Sequence, residues 1–142
     1  MSTAQLATSY VLVDTNAFIN LTRGRARSQH LVPYVEGKRL VMSFVTVAEL
    51  RRGGRTRGYG DASWRQLEAD IATAVVVPPD DDLSHEWARL TAEARRAGHA
   101  LGQKAQQHDA WIAATSRVHG LPILTEDQGF EDFPGLTLLP DR

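Results

Sequence analysis

The chain contains no cysteine. That excludes disulfides, thiolate metal sites and a thiol nucleophile, and it is what a cytoplasmic protein is expected to show. No apolar run approaches the ~20 residues that a membrane span needs, so no membrane association is expected. Met1 to Thr8 have neither a basic start nor an apolar stretch, so no signal peptide is expected there. There is no internal repeat and no low-complexity segment. Neither sign of charge prevails, since the formal net charge is −1, and bulk charge by itself selects no partner. The halves differ, however: residues 1–71 carry ten Lys/Arg against six Asp/Glu, and residues 72–142 six against eleven. This difference reads either as drift among solvated faces or as a basic surface beside an acidic one. With 42% hydrophobic and 23% charged residues in 142, what remains is one globular domain, 1–142, with an ordinary core.

The chain is organised around Val11-Leu12-Val13-Asp14-Thr15-Asn16. Three branched apolar residues followed by an acid read as a buried strand with a carboxylate at its exit. In open α/β sheets ligands bind beyond the carboxyl ends of the strands. The first strand is predicted at about Ser9–Val13, followed by a short helical pattern over Asn16–Leu21. Arg23-Gly24-Arg25-Ala26-Arg27 breaks that pattern as a basic loop. Leu31, Val32 and Val35 suggest a second helix ended by Gly37, and Leu40–Phe44 a second strand. Thr46 and Glu49 have capping-box spacing, which predicts a helix starting there and running to Gly53-Gly54. Arg51 to Gly60, with Arg51, Arg52, Arg55 and Arg57 among glycines, is predicted to be a mobile basic segment.

Asp61 is placed to cap a helix through Ala72, with Trp64, Leu67 and Ile71 on one face. Ala74–Val77 reads as strand three. Asp80-Asp81-Asp82 serve as cap and dipole partners of a helix on which Leu83, Trp87, Leu90 and Ala94 share a face. A further helix ends at Gly120, with Pro122–Leu124 as strand four and Leu136–Leu139 as a short last strand, expected at an edge. Strands alternating with helices predict an α/β fold: a parallel-stranded sheet of four to five short strands flanked by helices.

Four carboxylates sit at related places. Asp14 and Asp127 follow strands, whereas Glu49 and Asp109 lie in the first turns of helices. Each has a sufficient structural reading: a cap for Asp14, the capping box for Glu49, a dipole partner for Asp109, a turn for Asp127. Together they reach one rim of a parallel sheet. Clustered carboxylates repel one another unless cations neutralise them, and an all-oxygen donor set suits Mg²⁺ or Mn²⁺. Such ions support phosphodiester cleavage.

Val11-Leu-Val-Asp14-Thr-Asn16, Ser43-Phe-Val-Thr46-Val-Ala-Glu49-Leu50, Asp109-Ala-Trp-Ile-Ala-Ala-Thr115 and Leu124-Thr125-Glu-Asp127 occur in this order across nearly the whole chain. With them the sequence resembles the PIN-domain family, and within it the VapC-type toxins of bacterial toxin–antitoxin pairs. The resemblance implies a PIN-like single domain and a Mg²⁺- or Mn²⁺-dependent ribonuclease acting on RNA. In it Asp14, Glu49, Asp109 and Asp127 would be the catalytic, metal-holding acids, and Asn16 and Thr125 polar residues beside the metal. It further implies a cognate antitoxin that threads a peptide into the groove, and a homodimer. Arg51, Arg52, Arg55 and Arg57 are candidate RNA or antitoxin contacts. Members of the family often carry one more acid just before a phenylalanine. Here Gly129 precedes Phe130 and Asp132 precedes Phe133, so either a fifth acid is missing or Asp132 serves instead. His108 beside Asp109 reads as a surface histidine. Two other readings compete: a PIN-fold RNA- or protein-binding module with little or no catalysis, and a phosphotransfer domain with Asp14 as nucleophile. The second has Asn16 where such enzymes often carry another acid.

Overall fold

Apolar residues at every position of the first strand require a sheet covered on both faces, and this is how the chain folds. The computed structural model describes residues 9–24 and 26–142, without the side chains of Ala26 and Arg27. The leader reading of Met1 to Thr8 and part of the Arg23–Arg27 basic loop therefore lie outside the described residues. Five parallel strands, β1 (Tyr10–Val13), β2 (Arg39–Ser43), β3 (Val75–Val77), β4 (Ile123–Leu124) and β5 (Leu138–Leu139), form one sheet in the order β3-β2-β1-β4-β5. The last strand is at an edge, as expected. The α-helices are α1 (Thr15–Thr22), α2 (Phe44–Arg57), α3 (Asp61–Ala72), α4 (Asp81–Arg96) and α5 (Gln107–His119).

The central strand divides its side chains by the two-residue period. Leu12 packs with Val41, Leu90, Ile112 and Ile123 on one face. Val11 and Val13 pack with Phe18, Met42, Leu50 and Leu124 on the other. Val11, Leu12 and Val13 are completely buried, and each contributes roughly 1.5–3 kcal/mol of transfer free energy. The small residues Ala110, Ala113 and Ala114 of α5 are likewise fully buried, so this helix lies close on the sheet. On α4, Leu83, Leu90 and Ala94 face the core as predicted, and Asp80 caps the helix by accepting from the Leu83 amide at 2.8 Å.

Several local expectations are corrected. The predicted helix around Leu31–Val35 is a 3₁₀ helix, Ala26–Tyr34, with Pro33 inside it. A proline there removes a backbone donor and disrupts an α ladder. Helix α2 begins at Phe44, not at Thr46. Ser43 is the cap, its hydroxyl accepting from the Val45 amide at 3.3 Å, and Thr46 is fully buried within the first turn. The capping box is thus not formed. Nor does α2 stop at Gly53-Gly54. It continues to Arg57 and ends at Gly58, which is left-handed at φ 67°. A Cβ at Gly54 would lie 2.8 Å from Trp64 and 3.0 Å from Tyr59. That glycine admits α3 against α2 and is not a helix stop. The segment predicted as a mobile loop is therefore mostly helix. At α3, Asp61 is the first helical residue and Gly60 the cap.

Candidate metal centre

The register explains the convergence. Val13 pairs with Leu124, so the residues just beyond them, Asp14 and Thr125, leave the sheet side by side, and the Asp14 amide donates to the Leu124 carbonyl at 3.2 Å. Asp14 is 6% exposed. Its Oδ1 accepts from the Ala17 amide at 2.8 Å and caps α1, while its Oδ2 accepts from the Thr125 hydroxyl. The Thr125 oxygen in turn accepts from the Asp127 amide at 3.0 Å. Asp127 is exposed, and its Oδ1 accepts from the Gly129 amide at 2.8 Å. The cap and turn readings of these acids are both realised, without removing the acids from the site.

Asp109 enters from the first turn of α5. Burial raises its pKa to about 7, assisted by the charges of Asp127 and Asp14, a hydrogen bond to the Asp127 carboxylate and the charge of Glu49. Asp14 is also raised by burial, against the lowering effect of its bonds from Thr125 and Ala17, with Asp127 and Glu126 adding repulsion. Glu49 comes from α2, one turn beyond Thr46. The Thr15 hydroxyl donates to Glu49 Oε1 at 2.9 Å and lies 3.2 Å from Thr46 Oγ1. With no capping duty, Glu49 is free for the site. His108, half exposed, brings Nδ1 to 3.3 Å from Glu49 Oε2.

The four predicted acids thus act on one another. Thr125 bridges two of the loops, and Asn16 lines a shallow cavity with Asp14, Asn20, Glu126 and Asp127. Among the described residues no group of three or more His, Asp or Glu side chains stands, as placed, close enough together to hold a metal ion. The donor set nonetheless fits a hard divalent cation. It is all oxygen, and its members hold Asp109 in a field of like charge that a cation would relieve. Asp132, with φ 61°, is exposed, while the neighbouring Glu131 is bound by Arg142 Nε at 2.6 Å.

The arginines divide. Arg51 pairs with Glu68 of α3 at 2.9 Å, and Arg55 lies over the Trp64 ring at 5.1 Å. Arg52 and Arg57 instead line a groove between α1, α2 and α3, floored by Phe18, Leu50 and Leu67, which has Thr15 and Glu49 in its wall. Sequence reasoning did not find Thr15 as the support of Glu49, nor Glu126, whose Oε2 lies 2.9 Å from His30 Nε2. Thr15 stood within the quoted Asp-Thr-Asn stretch. The His30–Glu126 pair spans 96 positions and has no local signal.

The PIN domain profile matches residues 11–136, so the chain belongs to the PIN domain family. Ribonuclease VapC5 of Mycobacterium tuberculosis is 31% identical over 126 residues, covering 87% of each chain. The structure of VapBC-5, a member of the VapBC family of toxin-antitoxin systems from the same organism, superposes with TM-score 0.63 at 25% identity, covering 92% of this chain and 97% of that one. VapBC2 from Rickettsia felis, bound to a promoter DNA fragment, gives TM-score 0.75 at 15% identity over 91% and 96% of the two chains. At that identity it supports the fold alone.

Proposed function

We propose that this protein is a Mg²⁺- or Mn²⁺-dependent ribonuclease and the toxin of a toxin–antitoxin pair. The observation that carries the metal reading is the convergence of Asp14, Glu49, Asp109 and Asp127 from four separate elements, where burial first and then the charges of the other three acids raise Asp109 to about 7. The ribonuclease and antitoxin readings are supported by the names of relatives that match nearly the full length of the chain.

A cation bound here would supply neutralising charge for a phosphodiester and water activation. Asp14, Asp109, Asp127 and Glu49 would hold it. The Thr125 hydroxyl fixes one oxygen of Asp14 and Thr15 fixes one of Glu49, so neither carboxylate is free to turn away. Asn16 offers an amide at the cavity mouth. Arg52 and Arg57 suit a phosphate backbone, or an acidic segment of an antitoxin, lying in the groove.

The test is cleavage of total RNA by purified protein with Mn²⁺ and with excess EDTA. Cleavage in Mn²⁺ that EDTA abolishes is expected. Undiminished cleavage by metal-stripped protein would remove the metal from the mechanism, and RNA bound but uncut under every metal would make the protein a binding module.

A further inference from the structure

After β5 the chain folds back over the turn that carries Thr125 and Asp127. Arg142 Nη1 donates to the Thr125 carbonyl at 2.8 Å and to the Pro140 carbonyl at 3.3 Å, and Nη2 to the Asp127 carbonyl at 3.1 Å. Its Nε meets Glu131 Oε1 at 2.6 Å, and the side chain is 25% exposed. One planar fork therefore spans the carbonyls of both site residues and a carboxylate four positions beyond Asp127. An ammonium has no such fork. The remaining backbone groups of the two residues are also engaged: the Thr125 amide donates to the Leu139 carbonyl at 3.0 Å and the Asp127 amide to Thr125 Oγ1. With Arg142 in place, the amide and carbonyl of both residues are bonded.

We infer that Arg142 is a positioning residue of the metal centre: it holds the Thr125–Asp127 backbone so that the Asp127 carboxylate stays against Asp109 and the Thr125 hydroxyl against Asp14. It acts through these residues and not on the substrate. It also engages Glu131, the residue before Asp132. The inference rests on the metal reading proposed above, and the test separates the two. Residues that orient metal ligands typically change metal affinity by roughly tenfold to a hundredfold when removed.

The probe is Mn²⁺ alone, titrated into protein of residues 1–142 with the free ion counted by its electron paramagnetic resonance signal. Wild type, Arg142→Ala, Arg142→Lys, Asp127→Asn and the Arg142→Ala/Asp127→Asn double variant are compared, with far-ultraviolet circular dichroism checking that each is folded. Arg142→Ala is expected to bind roughly tenfold or more weakly, and Arg142→Lys to fall between it and wild type. In the Asp127→Asn background the alanine should add little, because the carboxylate it positions is gone. Equal Mn²⁺ affinity in wild type and Arg142→Ala overturns the inference, as does an equal loss in both backgrounds. Should the alanine variant not fold, wild-type affinity in Arg142→Lys overturns it equally. Wild type that binds no Mn²⁺ overturns the metal reading, and this inference with it.

Discussion

At the first turn of α5, Asp109 faces Asp127, Asp14 and Glu49, while at its last turn Arg117 lies between Glu86 and Glu93. Both places gather carboxylates around the same helix. In the second, Arg117 Nε stands 2.9 Å from Glu86 Oε1 and Arg89 Nη2 2.9 Å from Glu86 Oε2, so the charge is answered within the fold. In the first, the charges that bear on Asp109 are those of other acids, and the basic side chain at hand is the half-exposed His108 beside Glu49. The second cluster is closed and structural, whereas the first is held together by the sheet and its loops against its own repulsion. That difference supports the proposed metal reading more than the number of acids does.

The comparison breaks most sharply on activity. Asp14→Asn or Asp109→Asn should reduce RNA cleavage by a thousandfold or more, in order-of-magnitude terms, because cation binding and water activation fail together. Glu86→Gln should leave the rate per folded molecule unchanged and instead lower stability by about 3 kcal/mol, the scale for breaking a buried ion pair. Single-turnover cleavage and urea melts on the three variants decide it. Activity lost in Glu86→Gln without unfolding would show that the two clusters are not separate.

Stability sharpens the same contrast. Asp109 binds a proton in the folded state up to about pH 7, whereas in the unfolded chain it has lost it above its ordinary value of 3.8. Between those values the folded state holds more protons, so its stability falls as pH rises through this window. Asp109→Asn should therefore raise the melting temperature of metal-free protein at pH 7.5 by roughly 3 °C or more. The gain should shrink toward pH 4.5. Asp14 is a poorer probe, because it also caps α1. Thermal melts in EDTA at three pH values test the sign, and a variant that melts below wild type at pH 7.5 contradicts it.

Smaller effects divide the arginines. Arg52→Gln/Arg57→Gln should flatten the dependence of RNA binding on salt by about one unit of slope per lost phosphate contact. Arg51→Gln/Arg55→Gln should mainly lower the melting temperature, since those side chains hold α3. Filter binding at several salt concentrations distinguishes the pairs. Smallest of all, Asp81→Asn should change cleavage and stability by no more than about 0.5 kcal/mol. Asp80 is the cap, and the Asp81 side chain is 91% exposed.

Much of this was legible in the chain itself. The alternation of apolar strands with amphipathic helices specified the parallel sheet, and an acid after a wholly apolar strand could only emerge at its rim. Asp14, Glu49, Asp109 and Asp127 were visible because each sits at a fixed offset from an element end. The start of α2 was misplaced because Ser43 and Thr46 are both competent caps and only packing chooses between them. Its end was misplaced because Gly54 is required by the Trp64 ring of another helix, which local propensity does not register. Thr15 under Glu49, His30 on Glu126 and Arg142 on the 125–131 turn are long-range pairings between ordinary surface residue types, and no spacing rule announces them.

The contact between Thr125 and Asp14 joins residues 111 positions apart, and β1 lies between β2 and β4 in the sheet. During synthesis the first carboxylate therefore emerges early and waits for its partners. Asp14 has neither Thr125 nor Asp127 beside it until more than a hundred further residues have been translated. The Arg142 clasp comes later still. A nascent chain on the ribosome, surrounded by RNA, holds only a partial site. The order in which the residues are made thus delays the proposed nuclease until the segment carrying Thr125 and Asp127 has followed.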